Sequence, residues 1–273
     1  MKQCLVRHNL VGGVAALAVL SGVIAGMSGP LAAQTPALPS VGPASPQLVE
    51  DLVAAYRVLA QQGVVDGYGH VSARHDRGLD RYLMSRSLAP ELVTADDLVE
   101  FDLDSNPVDA RGRALYSERF IHGEIYKARP DVKVIVHHHS PGVIPFSVTG
   151  IPLRPIYHMA SFLWEGVPVY EIRTVDGMTN MLVDSSKRGS ALAQTLGSKP
   201  ALLMRGHGAA VVGSTFALAV GRSIYMEINA RLQAQAMALG GKITFIEPDE
   251  GRQATLDEYR RGWEMWKRKA MGK

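Results

Sequence analysis

Residues Tyr116–Gly142 read YSERFIHGEIYKARPDVKVIVHHHSPG and carry the main structural signal of the chain. A serine suited to an N-cap and a proline suited to a stop predict a helix over about residues 117–128. The apolar run VKVIV that follows predicts a buried strand, which ends in three histidines. Because side chains alternate between the two faces of a strand, His137 and His139 are expected to share one face and His138 to occupy the other.

Further side chains near and beyond this stretch could complete a metal site. Glu118 and His122 are four residues apart in the predicted helix, so they share a face. His207 lies between two glycines in RGHG, where the backbone can approach a ligand closely. Three imidazoles and one carboxylate suit zinc, manganese, iron or cobalt. Spacing alone leaves open a partly exposed loop at residues 137–139, a buried structural His207, and a packed rather than ligand-supporting His122.

Composition bounds the class of protein. The chain has 273 residues, of which 47% are hydrophobic and 20% charged, which is enough for a substantial core. Helical and strand patterns alternate along it and predict an α/β layer structure. The formal net charge is +3, without a sustained basic block, so no nucleic-acid partner is expected. The single cysteine, Cys4, lies near the N-terminus, which excludes thiolate chemistry from the folded part.

The N-terminus has the layout of a secretory signal. Lys2 and Arg7 precede an uncharged apolar run over residues 10–27, and small residues with prolines follow. An uncleaved membrane anchor is the alternative. With a cleaved signal, the mature chain is expected to be periplasmic or secreted, without contact with the membrane. The expected segments are a signal peptide over 1–33, a Pro-rich linker over 34–46 and a folded domain over 47–273.

Residues 116–142, followed by LLMRGHGAAVVG at residues 202–213, resemble the class II aldolase/adducin family. The shared pattern is a Ser-Glu-led helix, Arg-Pro-Asp, a valine-rich strand into His-x-His, and a later His-Gly. The resemblance covers roughly residues 47–241. It implies a single three-layer α/β/α catalytic domain around a central, mostly antiparallel sheet. It also implies a homotetramer with active sites at the subunit interfaces.

The resemblance further implies one divalent metal ion and its ligands. The positions that match the family's ligands are Glu118, His137, His139 and His207. Glu118 also matches the carboxylate that serves as acid and base in the aldolases. A metal held in this way stores negative charge on a substrate oxygen while a carbon–carbon bond breaks, in retro-aldol cleavage and in decarboxylation alike.

Three short pieces that hold phosphate in the sugar-phosphate members differ in this chain. They correspond to Gly69-His70, Arg86-Ser87 and Tyr116-Ser117. Small residues and backbone amides do this work in the family, and here a histidine, an arginine and a tyrosine stand among them. The pattern therefore disfavours a phosphate-ester substrate.

Other stretches are similar to the branch of the family that decarboxylates hydroxylated aromatic dicarboxylates. They read GHVSAR, PFSVTG, YHMASF and LMRGHG. This similarity implies a small acid substrate, with Arg86 holding a carboxylate and His70 bonded to a hydroxyl or carboxylate. The candidate proton donors are His70, His158 and Glu118. The candidate substrate-binding residues are Gly69, Arg86, Ser87 and Arg205.

Three other functions fit parts of the same pattern. A sugar-phosphate aldolase or epimerase fits the ligands but not the altered phosphate pieces. A non-haem iron oxygenase fits three histidines with a carboxylate. A non-catalytic adducin-like binding module is disfavoured, because such modules have lost ligands and all four matching positions are present here.

Overall fold

The computed structural model describes residues 39–254 and 259–273. The predicted signal peptide over 1–33 therefore lies outside the described residues, as does the first part of the predicted linker. Within the described ranges, no helix combines the length and the apolar character that crossing a membrane requires.

Within these ranges seven strands form one sheet. They are β1 (His70–Arg74), β2 (Arg81–Ser85), β3 (Leu98–Asp102), β4 (Val134–His138), β5 (Val169–Tyr170), β6 (Ala201–Met204) and β7 (Gly208–Gly213). Their spatial order is β3-β2-β1-β4-β7-β6-β5. Every neighbouring pair is antiparallel except β5 and β6, which are parallel. The expectation of a single, mostly antiparallel sheet is confirmed.

Helices cover both faces of the sheet. They are α1 (Pro46–Gln61), α2 (Phe120–Ala128), α3 (Ile144–Val148), α4 (Arg173–Asp176), α5 (Ser186–Leu196), α6 (Phe216–Ala238), α7 (Pro248–Ala254) and α8 (Arg260–Ala270). Helices α1, α6 and α8 share one apolar core with the sheet, and α2 and α5 share another. The α/β/α layering is thus confirmed.

The central strand β4 is buried along its whole length and serves both cores. Val134 and Val136 pack in the core beneath α1 and α6, whereas Ile135 packs in the core beneath α2 and α5. Alternation puts His137 on the face of Ile135 and His138 on the opposite face. His139 follows directly after the strand and joins the cluster that contains His137. The predicted division of the histidine triplet is confirmed.

The helix before β4 starts later than expected. Residues Ser117–Arg119 form a single 3-10 turn, and α2 begins only at Phe120. Glu118 has φ −87° and ψ 16°, which departs from helical geometry and marks a kink. The expected capping role of Ser117 is wrong, because no side chain caps this turn. The kink separates Glu118 from the regular helix that carries His122, and the two side chains bond to different partners.

The β4–β7 pairing leaves no room for a side chain at Gly208. A Cβ atom built there would lie 2.1 Å from the carbonyl oxygen of His138. We expect Gly208→Ala to lower the free energy of unfolding by roughly 1–3 kcal/mol, because the strands must move apart. Chemical denaturation would measure this change. Gly241→Ala is the control, since nothing lies within 4 Å of its added Cβ; equal stability of the two variants would contradict the close approach.

Candidate metal centre and its pocket

One carboxylate and three imidazoles meet beside the end of β4. The Nε2 atoms of His137 and His139 are 3.0 Å apart, and those of His139 and His207 are 3.1 Å apart. Oε2 of Glu118 lies 3.5 Å from Nε2 of His137 and 3.3 Å from Nε2 of His207. Ligand atoms of all four residues fall within 4.8 Å of one another. The structure thus brings together all four sequence-predicted ligands.

Backbone groups orient two of the imidazoles. Nδ1 of His137 lies 3.0 Å from the carbonyl oxygen of Ala209, and Nδ1 of His207 lies 3.0 Å from that of Met181. A carbonyl only accepts, so each Nδ1 carries a hydrogen, and in the neutral imidazole each Nε2 keeps its lone pair. Met181 has φ 66°, an uncommon backbone conformation for a residue with a side chain. Such conformations are concentrated at functional sites.

The carboxylate is oriented in the same way. Oε1 of Glu118 accepts the N–H of Val183 at 2.9 Å, which leaves Oε2 towards the histidines. Burial opposes ionisation of Glu118, but the adjacent His137 and His207 outweigh it and hold its pKa far below the usual range. Burial, followed by the neighbouring His137 and His207, lowers the pKa of His139 to about 4. The cluster therefore offers an ionised carboxylate with a neutral imidazole at His139.

This donor set fits a divalent transition-metal ion. Zinc–nitrogen distances place tetrahedral ligand atoms about 3.3–3.4 Å apart, close to the 3.0–3.5 Å contacts of this cluster. In neutral His137 and His207 neither Nε2 has a hydrogen, so a single hydrogen on Nε2 of His139 cannot bridge both contacts. A metal cation between the Nε2 lone pairs would take the place of the missing hydrogens. The ligand types suit zinc, manganese, iron or cobalt without selecting one.

The cluster opens onto a pocket of about 570 Å³. Glu118, His139 and His207 line it, whereas His137 lies behind them. The predicted site residues in its wall are Gly69, His70 and Ser87. Each of the three altered phosphate pieces therefore contributes to the pocket, the third through Tyr116 and Ser117. Sequence reasoning had not singled out the remaining side chains of the wall, which are Tyr68, Leu88, Ala89, Leu115 and Leu182.

Three other predicted site residues lie outside this pocket. The Arg86 guanidinium pairs with Asp97 at 2.7 Å, and that of Arg205 pairs with Glu171 at 2.7 Å. His158 is exposed, with its ring edge-on to Tyr157. Among the described residues that line the pocket, none is lysine or arginine. The structure of one chain thus does not supply the expected arginine to a substrate carboxylate.

Behind the pocket wall, His70 bonds to buried polar side chains. Its Nδ1 lies 2.7 Å from Nε2 of His122, whose Nδ1 lies 2.6 Å from Oγ of Ser72. Burial, followed by the nearby His122 and His137, lowers the pKa of His70 well below its usual range. Burial and the nearby His137 lower that of His122 to about 3. Both imidazoles are therefore neutral, and His122 supports His70 rather than a metal ligand.

Sequence reasoning left the role of His122 open and missed Ser72. The strand alternation that divided the histidine triplet could have found the serine. In GHVSAR, His70 and Ser72 are two residues apart on one strand and so share a face. His122 was harder to place, because its partner depends on the kink at Glu118.

Comparisons with known proteins identify the family of this chain. Residues 50–234 match the sequence profile of the Class II Aldolase and Adducin N-terminal domain. The chain is 34% identical over 246 residues to Decarboxylase tropJ of Talaromyces stipitatus, covering 81% of this chain and 92% of that protein. It is 29% identical over 209 residues to 3,4-dihydroxyphthalate decarboxylase of Arthrobacter keyseri, covering 71% and 80%. Among solved structures, L-fuculose 1-phosphate aldolase from Glaciozyma antarctica is similar in fold, with a TM-score of 0.70 at 24% identity and coverage of 85% and 94%.

Loss of one ligand is expected to release the metal. Glu118→Ala and His139→Ala should each weaken binding by more than the roughly 10–100-fold that loss of an orienting partner costs. Elemental analysis after loading with zinc or manganese would measure bound metal. His158→Ala is the matched control, because its exposed imidazole lies outside the cluster. Full metal content in both ligand variants would rule out this site.

Proposed function

Because the chain belongs to the class II aldolase and adducin family, we propose that it is a metal-dependent carbon–carbon lyase. The proposed reaction is decarboxylation of a small hydroxylated acid, aromatic or closely related. The negative charge is stored on a substrate oxygen as an enolate, or as a phenolate where the ring is aromatic. The proposed cofactor is one divalent ion, and the proposed ligands are Glu118, His137, His139 and His207.

One observation carries the choice of substrate class. The ligand cluster opens onto a pocket whose described lining contains no cationic side chain. The pieces that hold phosphate in the sugar-phosphate members are also altered there, with the larger His70 and Tyr116 in the wall. The wall instead presents three leucines and Tyr116, which suit a flat apolar ring. A bound metal ion would then provide the positive charge that attracts a substrate carboxylate.

The related proteins support decarboxylation over aldol cleavage. Both relatives described above are named as decarboxylases, and one of them acts on 3,4-dihydroxyphthalate. The structural neighbour that acts on a sugar phosphate is only 24% identical and bears on the fold alone. A hydroxylated aromatic acid is therefore the substrate class that fits the pocket and the relatives together.

The metal ion supplies a Lewis acid that stabilises negative charge on a substrate oxygen. The chain holds the ligands in place before substrate arrives. Val183 fixes the Glu118 carboxylate, and carbonyl oxygens fix the rings of His137 and His207. His139 and His207 are partly exposed to the pocket, so substrate oxygens can approach the cluster from that side.

We assign the proton transfer to His70, which stands in the pocket wall with the ligands Glu118 and His139. Its neutral imidazole takes the proton of a substrate ring hydroxyl and returns it to the ring carbon that bears the carboxylate. The carbon–carbon bond then breaks and carbon dioxide leaves. The electron pair of that bond restores the aromatic ring and leaves the negative charge on the oxygen. His70 ends the cycle neutral.

A direct assay separates the candidate reactions. We expect metal-loaded protein to release carbon dioxide from 3,4-dihydroxyphthalate or a similar hydroxylated acid, and to lose this activity on chelation. L-fuculose 1-phosphate should not be cleaved, because His70 and Tyr116 stand in the pocket wall where the phosphate-holding pieces have small residues. Retro-aldol cleavage without carbon dioxide release would contradict the proposal. Oxygen uptake after anaerobic loading with iron would indicate an oxygenase instead.

Two histidine variants test the assignment of the proton carrier. His70→Asn is expected to lower kcat by roughly 10²–10⁴-fold, the usual contribution of general acid–base catalysis, with metal content retained. His158→Asn should leave kcat within a few-fold, since His158 lies outside the pocket of its own chain. Steady-state kinetics with parallel metal analysis would decide. A loss confined to His158→Asn would move the proton carrier to a site between subunits.

A further inference from the structure

A chain of four buried side chains leads from the pocket wall into the protein. It begins at His70 and passes through His122 and Ser72. Oγ of Ser72 lies 2.9 Å from the hydroxyl of Tyr126, which lies 3.3 Å from the carbonyl oxygen of Lys133. The four side chains are at most 3% exposed. Strand β1 supplies two of them and helix α2 the other two.

The carbonyl at the inner end gives this chain a direction. A carbonyl oxygen only accepts, so Tyr126 donates its hydrogen to Lys133. Ser72 must then donate to Tyr126, since the tyrosine has no second hydrogen. By the same count, His122 donates from Nδ1 to Ser72, and its Nε2 accepts. The last contact therefore requires a hydrogen on Nδ1 of His70.

We propose that this chain holds His70 as the tautomer with its hydrogen on Nδ1, so that a bare Nε2 meets the substrate. His122, Ser72 and Tyr126 are positioning residues in this arrangement. The catalytic meaning of the proposal rests on the proposed function, whereas the hydrogen count rests on the contacts and on the neutrality of the two buried imidazoles. No other placement of hydrogens on neutral groups fills all four contacts.

A bare Nε2 also constrains the substrate. A carboxylate set against it would place two hydrogen-bond acceptors together, which is unfavourable. A hydroxyl offers the hydrogen that Nε2 lacks. The substrate therefore binds with a hydroxyl, rather than a carboxylate, towards His70. This orientation delivers the hydroxyl proton to the nitrogen that later returns it to carbon.

Removing the Tyr126 hydroxyl should reverse the direction of the hydrogen bonds from Ser72 through His122 to His70. In Tyr126→Phe the hydrogen of Ser72 loses its acceptor, and a buried unsatisfied hydroxyl is costly. If Ser72 turns to Nδ1 of His122, every buried hydrogen regains a partner. His122 then donates from Nε2 to His70, whose own hydrogen moves to Nε2. The variant is thus expected to carry the opposite tautomer at His70.

Nitrogen-15 NMR of zinc-loaded protein labelled at histidine tests the proposal. The two nitrogens of a neutral imidazole differ widely in chemical shift, and His70→Gln identifies the His70 signals. Tyr82→Phe is the matched control. Tyr82 is also buried, its ring lies 5.4 Å from that of Tyr126, and its hydroxyl donates to Ser105 outside the chain.

The expected result is a hydrogen on Nδ1 of His70 in the wild type and in Tyr82→Phe, and on Nε2 in Tyr126→Phe. Any other state of His70 in the wild type overturns the proposal. A tautomer that is the same in Tyr126→Phe as in the wild type also overturns it, as does a change in Tyr82→Phe. If Tyr126→Phe does not fold, the wild-type spectrum alone decides.

Kinetics separates this proposal from the proposed function. Tyr126→Phe should lower kcat for decarboxylation by roughly 10–100-fold, the range typical of orienting partners, with KM nearly unchanged. Tyr82→Phe should keep kcat within a few-fold. If the predicted tautomers are found but no hydroxylated acid is decarboxylated, the proposed function fails and the hydrogen-bond chain stands. If the wild type decarboxylates the acid but its His70 carries the hydrogen on Nε2, the proposed hydrogen-bond chain is overturned and the proposed function stands.

Discussion

A carboxylate and three imidazoles lie within 4.8 Å of one another at a largely buried point, and much of the surrounding backbone serves this arrangement. A buried ionised group is costly unless hydrogen bonds meet it. Val183 donates to Glu118, and the carbonyls of Ala209 and Met181 accept from two of the imidazoles. These backbone groups come from the start of β7 and from the loop before α5. Segments far apart in the sequence must therefore fold together before the ligands can converge.

In the proposed function, the pocket walls and the ligand cluster contribute differently to substrate binding. Its described walls hold aromatic and leucine side chains but no arginine or lysine. In the proposed function, attraction for an acid would then come from a bound metal ion, while the walls select the shape of the substrate. Arg86 and Arg205 illustrate the point, because each is already paired with a carboxylate outside the pocket. Such a division favours a substrate whose charged group and reacting atoms lie close together, as in a hydroxylated aromatic acid.

The clustering of Glu118, His137, His139 and His207 could be predicted because two kinds of information coincided. Strand alternation paired His137 with His139, and the family resemblance added Glu118 and His207. The strand and helix patterns likewise predicted the α/β class. Pairing of Arg86 with Asp97, eleven residues away at the other end of the segment between β2 and β3, left no local signal in the sequence. The start of α2 was misjudged for a related reason. Serine is a common capping residue, but Ser117 does not cap this turn. The backbone instead kinks at the buried Glu118.

Sheet register links the ligand cluster to the proposed proton carrier, His70. In the pairing of β1 with β4, His70 stands opposite His137 and Ser72 opposite Ile135. Residues directly opposite on antiparallel strands place their side chains on the same face, close enough to touch. A shift of β1 by one residue would turn His70 and Ser72 to the other face of the sheet. Ile135 is held in the core beneath α2 and α5, and this burial fixes the register. Ordinary apolar packing therefore sets His70 beside the ligand His137, with ring centroids 4.9 Å apart.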